Sequence, residues 1–462
     1  MFLILLLLAS AAFYIYMKWI YSFWTRNQVL GPKPSFLVGN VGPQLSFSKH
    51  WGYVIADLYK KYVDEPYVGF FKMMQPGILV CDADLVKDIL SKDFDCFDGI
   101  DTSVSKKYDP LLAANPFFLT GDEWKEARKT IVPAFTLSKL KSLFPVMNRT
   151  GEELVSYIKS HEPDTEFNAK QLAIRFTTQN VIKCSFSIDP KCFDNENESE
   201  FLVMGREMFE PSFWLGLKFM SLFILPHFLT NILPIPLKSS FHGVADLKSK
   251  SFLAGHALAL FIDGTETSSI ALSYAMYELA RNPDIQDKLY DNIVEKLGLD
   301  EKKWNADSLQ DMVYLEAVLH ETMRMHPPLP VITRRCTKQY RLPKNKRQSD
   351  GLVIEAGIVV NIPIFGIHMD PKHYPEPEKF IPERFLPEEQ RNRHKGTYLS
   401  FGDGPKNCLG IKFAISQLKV ALAYVVKSFH IKLSPYQKPI VIDPQTILNE
   451  PMDGILIKFE TR

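Results

Sequence analysis

A mainly α fold with a small β portion is what this sequence predicts, on three observations. Apolar residues recur at helical spacing over most of the chain, as in 122–135, 254–282 and 309–326. Short alternating runs are confined to 67–73, 77–82, 351–364 and the C-terminal 454–460. The 462 residues are 46% hydrophobic and 23% charged, enough to bury a large core. No repeat, low-complexity tract or later linker divides them.

The bulk numbers exclude more than they suggest. With 54 basic and 53 acidic residues the net charge is +1, which lacks the electrostatic footprint of a nucleic-acid binder. Six cysteines stand apart with no C-x-x-C pair, so neither a disulfide framework nor a zinc site is indicated.

Residues 1–24 read as a membrane anchor. They are apolar from Met1 to Met17, and Trp19, Tyr21, Phe23 and Trp24 resemble an interfacial aromatic belt. Ala9, Ser10 and Ala11 offer a rival reading as a signal-peptidase site, but no basic segment precedes them and the apolar run continues past them. Lys18, Arg26 and Lys33 all lie on the C-terminal side, which puts the body in the cytosol, as for a protein of the endoplasmic reticulum membrane. Residues 25–40, with Gly31, Pro32, Pro34 and Gly39, form a stiff hinge, and 41–462 read as one folded body.

The stretch FGDGPKNCLG, 401–410, runs into an apolar stripe of Ile411, Ala414, Ile415, Leu418, Leu422 and Val425, with Lys412, Ser416, Lys419 and Lys427 opposite. Cys408 therefore sits at a helix N-terminus, where free amides and the helix dipole lower a thiol pKa. Gly402, Gly404 and Gly410 let the backbone approach a flat ligand. A buried, inert cysteine in a glycine-rich turn is the alternative.

This loop resembles the haem-binding loop of the cytochrome P450 monooxygenases, FxxGx[R]xCxG. Phe401, Gly404, Cys408 and Gly410 fit, and Lys406 stands where that family usually has arginine. Other segments match as well. Glu321 and Arg324 of ETMR lie on one helical face, and Arg384 of PERF completes a structural triad. Trp124 and Arg128 match W-x-x-x-R, which in the family reaches a haem propionate. Arg334 occupies another propionate position, with Arg335 leaving the register open by one. Gly264, Glu266 and Thr267 of DGTETSS match the long oxygen-activating helix, where Asp263 replaces the usual small residue. Glycine within that helix suggests a local bulge, and Thr267 can also bond back to the Asp263 carbonyl.

The resemblance implies haem b on a Cys408 thiolate, Thr267 as hydrogen-bond relay and Glu266 as its link to solvent. It implies an apolar small-molecule substrate and electrons from an NADPH-dependent flavoprotein reductase, with cytochrome b5 a second donor. NADPH then acts only through the reductase. Lys125, Lys129, Lys406, Lys412 and Lys419 offer a docking face. Expected pocket segments are 99–118, 208–219, the helix around Phe261 and 327–333. One departure stands out: between 223–237 and the long helix near Gly255 the family usually has two more helices, whereas this chain has only 238–254. An open, wet pocket with poor coupling is the expected result, or, as the alternative function, a membrane-anchored haem protein with little turnover. A peroxide isomerase or dehydratase is a third reading, opposed by Glu266 and Thr267.

Overall fold

The computed structural model describes residues 1–102, 104–209, 212–224 and 251–462. Helices dominate, as the periodicity requires. In chain order the elements used below are α1 (Phe2–Tyr21), β1 (Tyr67–Lys72), β2 (Gln75–Val80), α2 (Gly121–Ile131), α3 (Leu137–Lys159), α4 (Ala169–Phe186) and α5 (Ser251–Arg281). They continue with α6 (Pro283–Leu297), α7 (Val313–Met325), β3 (Ile332–Arg335), β4 (Val359–Ile362), α8 (Ile411–Ser428), β5 (Phe429–Leu433) and β6 (Leu456–Thr461).

Two sheets of three or more strands accompany the helices, besides a two-stranded pairing of Tyr340–Arg341 with Val353–Ile354. The larger runs β1-β2-β4-β3, with β2 and β4 parallel and the other neighbours antiparallel. The smaller places β6 between β5 and the short strand Phe167–Asn168. The main core joins α3, α4, α5, α7 and α8. Burial is nearly all-round on α7 and α8, which explains why their apolar pattern is denser than a one-sided stripe. Lys419 is the consequence: expected on the polar side, it is 2% exposed. Its ammonium donates to the Gln310 carbonyl at 3.0 Å and pairs with Glu316 at 2.6 Å.

Local signals set the boundaries. The 309–326 pattern is split, because Asn305 and Ser308 form a capping box that starts a short helix, Ala306–Gln310, before α7 begins. α2 gives way to a 3₁₀ turn at Val132–Phe135, where Pro133 has no amide to donate.

α1 has 20 residues and a mean hydropathy of 1.9, long and apolar enough to cross a membrane. Trp24 does not belong to an interfacial belt, however. It is 3% exposed, packed in the core of the larger sheet, and its indole Nε1 donates to the Phe70 carbonyl at 2.9 Å. Gly69 makes that approach possible, since a Cβ there would stand 2.3 Å from the indole ring. The expected roof at 223–237 and the shortened 238–254 lie almost wholly outside the described residues, and α5 starts at Ser251 rather than near Gly255.

Gly69→Ala should therefore displace the indole and lower stability by about 1–3 kcal/mol. A thermal melt followed by circular dichroism tests this; an unchanged midpoint would show that Trp24 does not depend on the close approach.

Candidate active site

The loop before α8 is closed by the Cys408 N–H, which donates to the Phe401 carbonyl at 2.8 Å. Gly404 has φ +69° and a Cβ would lie 1.8 Å from the Leu90 carbonyl oxygen, so only glycine fits. Gly410, at φ −89°, is not strained, and a Cβ would meet only the Phe135 ring at 3.8 Å. Its value is the space it leaves, because it lines a cavity of about 800 Å³ into which Cys408 also opens. That volume suits a small molecule.

The Cys408 thiol is pushed up, contrary to the helix-terminus expectation. Burial is the largest cause and the Asp263 carboxyl adds to it, against the Gly410 amide and Arg128. α8 begins beyond Gly410, so its dipole acts from further away than the sequence suggested. A bound metal ion would deprotonate such a thiol outright.

Four expected residues gather on one rim of this cavity: Trp124, Arg128, Arg334 and Lys406. Arg128 donates to the Asn407 carbonyl at 2.9 Å and to its side-chain oxygen at 2.6 Å, clamping the residue before the cysteine. Lys406 donates to the Leu119 carbonyl at 2.8 Å and lies 5.2 Å from the Trp124 ring centroid. Burial, then repulsion from Arg334, lowers its pKa to about 7. Arg334 is 7% exposed, bonds its neighbour's Thr333 carbonyl and has a buried Nε without a partner. Burial lowers its pKa to about 10. Of the two neighbours Arg334 lines the cavity, whereas Arg335 pairs with Asp101, 3.0 Å distant. Two desolvated cations with no carboxylate in bonding contact among the described residues fit an anionic ligand group.

α5 forms the opposite wall with Asp263, Gly264, Glu266 and Thr267. It is continuous α-helix, so the expected bulge is absent; Gly264 instead admits Val181 of α4, which a Cβ would meet at 3.3 Å. The Thr267 hydroxyl donates to the Asp263 carbonyl at 2.8 Å. Glu266 is 4% exposed and bonded to Lys170, whose ammonium also reaches Glu450 at 3.3 Å. Burial opposes the Lys170 charge, but the two carboxylates hold its pKa above the usual range.

The triad forms as expected at the base of the loop. Arg324 donates to Glu321 at 2.7 and 2.9 Å, and to the carbonyls of His368 and Pro377 at 2.7 and 2.8 Å. Arg384 reaches Glu321 at 3.3 Å.

Several residues of the site escaped sequence reasoning. Gln417 donates to Ser268 at 2.8 Å and accepts from Asn180 at 3.0 Å, tying α8, α5 and α4 together. His368 takes the Leu399 N–H at 2.9 Å and faces the Arg324 carbonyl at 3.0 Å. The turn 445–448 lines the cavity, whereas Phe261 packs away from it onto Phe201. That helix offered a periodic signal over 254–282; isolated polar residues in apolar runs offered none. Lys406 and Lys419 are drawn inward, leaving Lys125, Lys129 and Lys412 exposed.

The family model described as Cytochrome P450 matches residues 29–254 and 247–459. The chain belongs to the cytochrome P450 family. It is 32% identical to "Probable cytochrome P450 6a13" of Drosophila melanogaster over 494 positions, covering 99% of this chain and 98% of that relative. "Cytochrome P450 6j1" of Blattella germanica is 29% identical over 96% of this chain and 95% of its own. "Probable cytochrome P450 308a1" of Drosophila melanogaster is 32% identical, with 99% of each covered. The first alignment is longer than this P450 itself, so that relative has residues with no counterpart here. This P450 is thus a monooxygenase of a haem-thiolate family, with an N-terminal apolar helix consistent with membrane anchoring.

The buried imidazoles make the fold of this P450 acid-sensitive. Burial lowers the His368 pKa to about 3 and that of His50 to about 4, from 6.5. The unfolded chain binds protons below 6.5 that the folded one refuses, so stability falls as pH drops from 6.5 toward those values, by up to about 1.4 kcal/mol per unit and group. His368→Gln should flatten that slope in urea unfolding between pH 7 and 4.5. A slope equal to the wild type's would mean that folded His368 accepts the proton.

Proposed function

We propose that this P450 holds haem b with Cys408 as the iron ligand and inserts oxygen into an apolar small molecule drawn into the cavity between α5 and α8. The observation that carries the reading is the pairing across one cavity of a glycine-framed cysteine with two desolvated cations on its rim, facing Thr267. Arg334 and Lys406 are the groups for the haem propionates, with Trp124 beside them and Arg128 fixing the loop. Phe401, Gly404 and Gly410 shape the loop around the thiolate. When bound, the thiolate-ligated haem supplies reductive activation of O₂, one atom going to substrate and the other to water.

The chain's own work is positioning and proton supply. Thr267 presents a hydroxyl to the cavity while bonded to the Asp263 carbonyl, so it can accept one hydrogen bond and pass a proton. Glu266, Lys170 and Glu450 form the route behind it, with Glu450 the partly exposed end. Electrons come from an NADPH-dependent flavoprotein reductase, with cytochrome b5 a further donor; Lys125, Lys129 and Lys412 are the basic residues left to meet them. The basic residues after α1 favour a body facing the cytosol from the endoplasmic reticulum membrane.

The CO-difference spectrum of the reduced membrane fraction should carry the Soret band of thiolate ligation, and Cys408→Ser should abolish both the band and oxidation. A histidine-type band, or turnover in the serine variant, would assign the iron to another residue. For Thr267→Ala the expected result is uncoupling, with NADPH consumed, peroxide rising and product falling. Product per NADPH equal to wild type would place proton delivery elsewhere.

A further inference from the structure

Asp263 is an acidic side chain that lines the cavity beside apolar groups such as Leu112, Phe117, Phe118, Leu258 and Ile262, with the ionisable His256 on the same helix. It lies on α5, is exposed and lines the cavity. Among the described residues the Asn115 side chain, itself 1% exposed, is the neighbour that favours its charged form. Among the described residues no cation pairs with it. Of the other charged groups lining the cavity, Glu266 is engaged with Lys170, Arg128 with Asn407 and Lys72 with Asp101, whereas Arg334 and Lys406 have no carboxylate in contact among the described residues. Cys408 faces it across the cavity, close enough for the carboxylate to raise the thiol pKa.

An unpaired carboxyl in an apolar chamber carries a desolvation cost that a bound cation would remove. Burial has pushed the Asp263 pKa up to about 7, with the Asn115 amide holding it down, so near neutral pH it stands between its two charge states. A cationic group beside it would complete the ionisation and gain a weakly screened attraction. The hydrophobic walls would meanwhile bury the rest of the ligand.

We propose that Asp263 sets the substrate class of this cavity: amphiphiles that carry a positively charged nitrogen on an apolar body. The inference deepens the functional reading above and rests on it, since it concerns the same cavity.

The test uses the ferric holoenzyme, with its reduced CO band checked in every variant. Two ligands of equal shape are compared by equilibrium dialysis: 4-phenylbutyltrimethylammonium, which cannot ligate iron through nitrogen, and its neutral carbon isostere. The wild type should favour the cation. Asp263→Asn should weaken the cation about tenfold or more and leave the neutral ligand within about threefold, while Asp263→Glu should keep the preference. Equal affinity of the wild type for both ligands would overturn the proposal. So would a cation preference undiminished in Asp263→Asn. A ligand-free ferric spectrum that shifts in Asp263→Asn, without any cation preference in the wild type, would make the carboxyl an iron ligand and also overturn it. In all these cases an intact thiolate CO band leaves the functional reading standing; absence of that band in the wild type would remove the reading itself.

Discussion

The buried guanidinium of Arg324 is the fixed point from which the site is hung. It is 0% exposed, and its donors are spent on Glu321 and on the carbonyls of His368 and Pro377. Glu321 would be left with unpaired acceptor capacity by this contact alone. Arg384 and the Ile381 N–H, at 3.3 and 2.9 Å, supply the remaining donors. Each of these bonds draws in a different piece of chain, so satisfying one buried ion pair orders residues 368–384 against α7. Removing either charge would strand the other, a loss of about 3–5 kcal/mol. The arrangement thus gives a long irregular segment the rigidity that its own sequence does not.

From there the order is passed on by hydrogen bonds between side chains and backbone. His368 receives the Leu399 amide, Ser400 bonds the Met323 carbonyl at 2.9 Å, and Cys408 returns its amide to Phe401. The far wall is fixed independently. Gln417 and Asn180 lock α5 between α4 and α8, and the missing Cβ at Gly264 lets α4 close on it. Because Gln417 lies on the helix that Cys408 introduces, both walls of the cavity refer to one rod. The separation of the thiol from the Thr267 wall is therefore a property of α8 and its contacts, not of the flexible approach to the site.

What was legible in the sequence follows from this. Motifs with fixed short spacing, such as Glu321 with Arg324, Trp124 with Arg128, and the 401–410 loop, carried their geometry because helix pitch or turn chemistry dictates it. The strands at 67–73 and 77–82 and the long helices were legible for the same reason. Contacts across hundreds of residues were not: nothing in the chain announces that Lys170 would meet Glu266 and Glu450, or that Gln417 would find Ser268. Charge misled where burial decides. Lys419 reads as a surface lysine and Trp24 as an interfacial aromatic, yet the core takes both, because α8 is packed on every side and Gly69 opens a slot for the indole. The direction of the Cys408 shift was misjudged likewise, since a helix-end argument omits desolvation.

The electrostatics of the cavity then make sense as a division of labour. Structural charges in this chain are paired: Arg324 with Glu321, Lys72 with Asp101, Lys170 with two carboxylates. Among the described residues, Arg334, Lys406 and Asp263 line the same space with no oppositely charged group in contact. All three are shifted toward their neutral forms, to about 10, 7 and 7, with desolvation the largest cause. A fold that elsewhere satisfies its buried ions keeps such costs where a ligand can offset them. Charges of both signs in one space would suit two different occupants: an anionic edge near Arg334 and Lys406 and, if Asp263 sets the substrate class, a positively charged group beside it.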